Sequence, residues 1–105
     1  MRRCLLRLSR FIMRNVLRVL ISGRVQGVGF RAWVVNKATH IGLQGWVRNV
    51  KDGSVEAVFS GEHEVIQQMI EACKQGPEAA RVDAIEVFTY KDEIADGPFA
   101  ARQTV

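Results

Sequence analysis

Apolar residues recur along this chain in two alternating periods. Val16–Ser22 reads VLRVLIS, aliphatic and β-branched with Arg18 its only charge, and predicts a mostly buried strand central in its sheet. Gly23–Gly29 is a glycine-rich connection. The period then lengthens. Phe30, Trp33, Val34, Ala38 and Ile41 fall on one face of a helix that Gly42 ends. Gln44–Val50 (QGWVRNV) is a second strand, and Lys51–Ser54 is a turn with Asp52-Gly53 at its tip, a strong hairpin signal. Ser54–Ser60 (SVEAVFS) alternates as a third strand. Gly61 opens a second helix with Glu62 and Glu64 in its first turn, where the helix dipole favours anions. Val65, Ile66, Met69, Ile70 and Cys73 form its apolar stripe, Lys74 sits in the last turn, and Gly76-Pro77 stops it. Arg81–Tyr90 alternates as a fourth strand, with Ile85 and Val87 the expected core pair. The tail from Ile94 to Val105 has room for a short edge strand.

The order is β-α-β-β-α-β. Right-handed crossovers and a tight central hairpin give an α+β class fold: a ferredoxin-like sandwich, an antiparallel sheet with both helices on one face. At 105 residues the chain is one domain, long enough for a core without staples. With 48% hydrophobic and 25% charged residues it is neither disordered nor a disulfide scaffold. The two cysteines, Cys4 and Cys73, form no CxxC pair, and with only His40 and His63 as histidines no zinc site is in sight. This usage fits a reducing compartment, and the expected location is cytoplasmic.

Charge changes the picture less than its total suggests. The net charge is +4, but five of the fifteen basic residues (Arg2, Arg3, Arg7, Arg10 and Arg14) lie in residues 1–14, which hold no acid. The remaining ten face all eleven acids, so residues 15–105 sum to about −1. The basicity is a tail, and nucleic acid is not an expected partner. The stretch MRRCLLRLSRFIMR has no apolar run longer than three residues, so it is neither a secretory signal nor a membrane span. It fits an organelle transit peptide or, better, a mis-assigned start with Met13 as the true first residue. Either way residues 1–14 are expected to be a flexible basic extension and residues 15–105 the domain.

The chemistry gathers in the first connection, Gly23-Arg24-Val25-Gln26-Gly27-Val28-Gly29-Phe30-Arg31. Three glycines within seven residues stand between a buried strand and a helix N-terminus. Glycine permits positive φ and close backbone approach. Successive N–H groups in such a turn converge as an anion nest, and the helix N-terminus adds its unpaired amides. Arg31 brings a planar donor fork suited to phosphate oxygens. Together these describe a phosphate cradle; on glycine count alone a tight turn beside an exposed arginine explains the loop equally well. It is neither a Walker loop nor a dinucleotide fingerprint, since no Gly-Lys-Ser/Thr follows and Ala32 stands where a third glycine belongs. Asn49 closes the second strand, where asparagine is uncommon. Taken alone it belongs to the turn; beside the cradle, its carboxamide can donate and accept at once and so orient a water.

The strings GRVQGVGFR and GLQGWVRN–DGSVE, with the later GPEAARVDAIEV, resemble the acylphosphatase family across nearly all of residues 16–90. The resemblance implies an enzyme that hydrolyses acyl phosphates to carboxylate and inorganic phosphate. By it the Arg24, Val25, Gln26, Gly27, Val28, Gly29 and Phe30 backbone and the Arg31 guanidinium bind phosphate, and Asn49 positions the attacking water. It implies no metal, no cofactor and no covalent phospho-enzyme. The chemistry agrees: a carboxylate leaves without a general acid, and the phosphoryl charge is what needs stabilising. No Asp or Glu lies in the cradle to act as base. The expected partners are a small acyl phosphate and phosphate as product and competitive inhibitor, with no membrane, the chain being a monomer. His40 and His63 read as surface residues, Trp33 and Trp46 as packing, Cys73 as an inert core thiol, and Arg24 and Arg48 as solvated. Two other readings stand beside the enzyme: a non-catalytic module binding acyl or carbamoyl phosphate, and an RNA-binding βαββαβ domain. The second needs aromatics on the first and third strands, which offer only Phe59.

Overall fold

The computed structural model describes residues 15–105; the N-terminal extension read from the sequence lies outside them. The elements follow the expected order: β1 (Asn15–Arg24), α1 (Phe30–His40), β2 (Gln44–Asn49), β3 (Val55–Gly61), α2 (His63–Cys73), β4 (Arg81–Thr89) and β5 (Ala100–Ala101). The sheet order is β4-β1-β3-β2-β5. β1 pairs antiparallel with β3 and β4, and β2 antiparallel with β3. The tail does form an edge strand, but β5 runs parallel to β2, so the sheet is mixed where a wholly antiparallel one was expected.

One core lies between the sheet and the helices. Phe30, Val34 and Ala38 of α1 and Ile66, Met69, Ile70 and Cys73 of α2 meet Val19, Ile21, Val47, Val55, Ala57 and Phe59 of the sheet. Each large side chain fully buried there contributes about 1.5–3 kcal/mol of hydrophobic stabilisation. β3 is buried along its whole length. Phe99, from the tail, is also buried and stacks on Phe59 at 5.6 Å between centroids. Burial pushes the Cys73 thiol up to about 12, as an inert core thiol requires. Trp46 and Val58 are buried on the opposite face of the sheet. There the Arg48 and Arg102 guanidinium carbons each lie 4.6 Å from the centroid of the Trp46 ring.

Two local expectations change. Gly61 ends β3 instead of opening the second helix, whose N-cap is Glu62. The core pair on β4 is Val82 with Ile85, while Val87 is 46% exposed. A bulge brings Val82 into the pair. Ser22 pairs with Ala84 but Gly23 with Val82, so Asp83 is an extra residue and Val82 turns onto the face of Ile85. Gly23, at φ +129, sits where a Cβ would lie 2.2 Å from the Arg81 carbonyl oxygen.

Candidate active site

Both ends of the glycine-rich loop are anchored by apolar side chains. Val25 and Phe30 are each 1% exposed, so Val25 is held by the core and offers the loop only its backbone. Between them Gly27 and Gly29 take positive φ of 73° and 79°, which glycine adopts at least cost. Gly29 is the N-cap of α1, and it supplies no side chain to the first-turn amides. The first intrahelical bond from this end runs from the Trp33 N–H to the Gly29 carbonyl at 3.0 Å. The N–H groups of Phe30, Arg31 and Ala32 therefore have no partner within the helix, and no acid lies in the first turn. A helix end of this kind can receive an anion. Arg24, at the end of β1, is exposed, and Val28 packs on the edge of the core.

Arg31 is half-buried, and its Nη1 donates to the Arg102 carbonyl at 3.3 Å. The Arg102 N–H in turn donates to the Val47 carbonyl at 2.8 Å. The C-terminal residues thus tie the first turn of α1 to β2, two positions before Asn49. Sequence reasoning missed this tether, because nothing near Arg102 marks it except the lone Phe99 that anchors the tail.

Asn49 is the last residue of β2, half-buried and in register with Val55. Alternation with Val47 places it on the helix-bearing face of the sheet, the face of α1. No described residue hydrogen-bonds its carboxamide. The turn beyond it is closed by the Val50 N–H to the Ser54 carbonyl and the Gly53 N–H to the Val50 carbonyl, both 2.9 Å. Gly53, at φ 99°, completes a three-residue loop. Asp52 accepts from the Ser54 hydroxyl at 2.6 Å and N–H at 2.9 Å, and these bonds hold its carboxyl below the usual value. Gln26 spans the loop and the hairpin: its Nε2 donates to the Val50 and Ser54 carbonyls, each at 2.7 Å.

Arg48 is not the solvated arginine expected. Its Nε donates to Glu56 at 2.7 Å, and Arg18 Nε donates to the other carboxylate oxygen at 2.5 Å. Burial alone would raise the Glu56 pKa, but the two arginines outweigh it and hold the group below the ordinary glutamate value. This triad lies on the face away from the helices. His40 is exposed, and His63 exchanges a 3.1 Å hydrogen bond with Asn15. Phe59 is fully buried in the core, so no aromatic of β1 or β3 is presented for stacking on a base. Among the described residues no group of His, Cys, Asp or Glu is placed to hold a metal, and no helix is long and apolar enough to cross a membrane.

Comparison with known proteins agrees with this geometry. The acylphosphatase family model matches residues 17–101. An acylphosphatase of Azorhizobium caulinodans is 51% identical over 93 residues, covering 89% of this chain and 100% of the relative. One from Rhodopseudomonas palustris is 58% identical over 67 residues, 64% of this chain and 68% of the relative. The solved structure of an acylphosphatase from Coxiella burnetii superposes with a TM-score of 0.82 at 34% identity, covering 90% of this chain and 98% of that one. With loop, helix end and hairpin all lying inside the matched segment, the chain belongs to the acylphosphatase family.

Proposed function

We propose that this acylphosphatase binds the phosphoryl group of its substrate on the amides of residues 24–30 and the Arg31 guanidinium, and that Asn49 holds the attacking water. The enzyme hydrolyses acyl phosphates to a carboxylate and inorganic phosphate. In the proposed mechanism the water oxygen bonds to phosphorus as the bond from phosphorus to the acyl oxygen breaks. The carboxylate leaves with that electron pair, and the water's proton passes to a phosphate oxygen. No covalent phospho-enzyme forms. The catalytic contribution is electrostatic: donors already in place where charge sits on the transferring group. Arg31 and the helix amides supply that field, so the reaction needs no metal.

The observation that carries this reading is the start of α1. It has a left-handed glycine cap, no acid in its first turn and Arg31 beside its unpaired amides. Inorganic phosphate, as product, competes for the same cradle. Residues 15–105 act as a monomer without the N-terminal extension, and the unpaired, buried Cys73 fits a cytoplasmic setting.

The test is turnover of a synthetic acyl phosphate by Arg31→Lys and Arg31→Gln. Lysine keeps the charge but loses the fork, and each variant should lose at least ~10²-fold in rate, as for one preorganised donor. Circular dichroism should be unchanged. Near-native turnover by either variant, or activity lost to EDTA and restored by a divalent ion, would overturn the mechanism.

A further inference from the structure

The loop and the hairpin are two separate pieces of backbone, and one side chain bonds across them. Gln26 places its Nε2 2.7 Å from the Val50 carbonyl and 2.7 Å from the Ser54 carbonyl. An amide nitrogen has two protons, and this one uses both. The two carbonyls are the ones that close the turn, through the Ser54 carbonyl to the Val50 N–H and the Val50 carbonyl to the Gly53 N–H. Each carbonyl oxygen has two lone pairs, so Gln26 fills the second site on both. Val50 directly follows Asn49, and Ser54 directly precedes Val55, the register partner of Asn49.

From this geometry we infer that Gln26 is a positioning residue for hydrolysis: its side chain sets the distance between the phosphate cradle and the Asn49 carboxamide. The inference rests on the roles proposed above for the cradle and for Asn49. The loop cannot hold that distance by its own stiffness, because Gly27 and Gly29 carry no side chains and its anchors, Val25 and Phe30, face the core. The chemistry needs the distance held, since an error of about 1 Å in placing a reacting group costs on the order of 10²-fold in rate. The Gln26 side chain is not itself a phosphate ligand. Both its N–H groups are spent, and its free carboxamide oxygen would repel an anion.

The test compares Gln26→Met, similar in length but without donors, in the native chain and in an Asn49→Ala background. Four quantities are read: kcat and KM for a synthetic acyl phosphate, the competitive inhibition constant of inorganic phosphate, and the melting temperature. In the native background Gln26→Met should lower kcat by about 10- to 100-fold and change phosphate inhibition by less than about threefold. In the Asn49→Ala background the same substitution should cost less than about threefold in kcat, because the group it positions is gone. Should Gln26→Met fail to fold, Gln26→Asn keeps the polarity, lacks the reach to both carbonyls, and should give the same pattern. A native kcat, equal losses in both backgrounds, or phosphate binding weakened as much as turnover would overturn the inference and leave the role of Asn49 standing. An Asn49→Ala variant with native kcat would instead overturn the reading of Asn49, and this inference with it.

Discussion

Replacing Asn49 by alanine removes a carboxamide that no described residue hydrogen-bonds. The backbone around it is held independently: Asn49 pairs with Val55, and its carbonyl accepts from the Val105 N–H at 3.1 Å. Both survive truncation at Cβ. The side chain is half-buried and fills no part of the apolar core, so the stability cost should stay below about 1 kcal/mol, near the range for substitutions away from packed features. For a domain of this size that is a fall in melting temperature of less than about 8 °C. The kinetic cost is of another order. If the carboxamide holds the water only as the transition state forms, kcat should fall at least ~10²-fold, or about 2.7 kcal/mol at 1.36 kcal/mol per tenfold. In the proposed mechanism phosphate is held by Arg31 and the amides, so its inhibition constant should move by less than about threefold, or ~0.7 kcal/mol. The assay is steady-state hydrolysis of a synthetic acyl phosphate with inorganic phosphate as inhibitor, beside a thermal melt of the same preparation. If the inhibition constant rises as far as kcat falls, Asn49 binds phosphate. If the protein is mainly unfolded, Asn49 belongs to the turn.

Other outcomes follow from the same structure. Glu56→Gln leaves Arg18 and Arg48 without their shared carboxylate and should destabilise the fold by about 1–3 kcal/mol, seen as a lower melting temperature with kcat little changed. Because the folded pKa of Glu56 lies below its ordinary value near 4.5, the stability it contributes is present above that pH and lost as pH falls through the folded pKa; melts below about pH 4.5 should therefore bring the native protein and Glu56→Gln together, and a gap that persists unchanged at acid pH would refute the assignment. Gly45→Ala puts a Cβ 1.8 Å from the Val58 carbonyl oxygen at φ +130 and should cost more than about 3 kcal/mol; a melting temperature within a few degrees of native would show that β2 shifts freely. Removing residues 1–12 should leave turnover and melting temperature nearly unchanged, since the family match begins only at residue 17, and a large fall in either would mean that the segment packs on the domain.

How much of this was legible depends on the range of the interaction involved. The strands and helices carry their periods locally, so β1, α1, β2, β3, α2 and β4 follow from Val16–Ser22, Phe30–Ile41 and their successors within a residue or two. The bulge at Asp83 is not local: it exists because Gly23 skips a partner on the neighbouring strand, and alternation within RVDAIEVFT alone points to Val87. β5 was equally hard to read, since Ala100–Ala101 has no strand pattern and is placed by its pairing with β2 and by the burial of Phe99. In the candidate site Arg31 and Asn49 were visible because glycine spacing and an out-of-place asparagine mark them. The side chain of Gln26 was not, since its bonds to Val50 and Ser54 depend on a hairpin more than twenty residues away. The pairing of Arg48 with Glu56 and Arg18 required the strand register, which fixes who faces whom across β1, β3 and β2.

The pairing of Leu17 with Thr89 has a consequence for how the enzyme comes into being. β1 is the second strand of the sheet in space but the first to be synthesised, and its outer partner arrives only when most of the domain has left the ribosome. Long-range pairing of this kind pays its loop-closure entropy before any contact returns it, so folding should be slower than for a helical bundle of the same size. The parts of the proposed site are spread the same way. The cradle is early, the hairpin is central, and the carbonyl that receives Arg31 belongs to Arg102. A nascent or half-refolded chain therefore holds no fraction of a working centre. If phosphate binds the proposed cradle, it recognises only the completed fold, and by mass action each tenfold rise in its concentration above the dissociation constant should add about 1.4 kcal/mol to the stability of the whole domain.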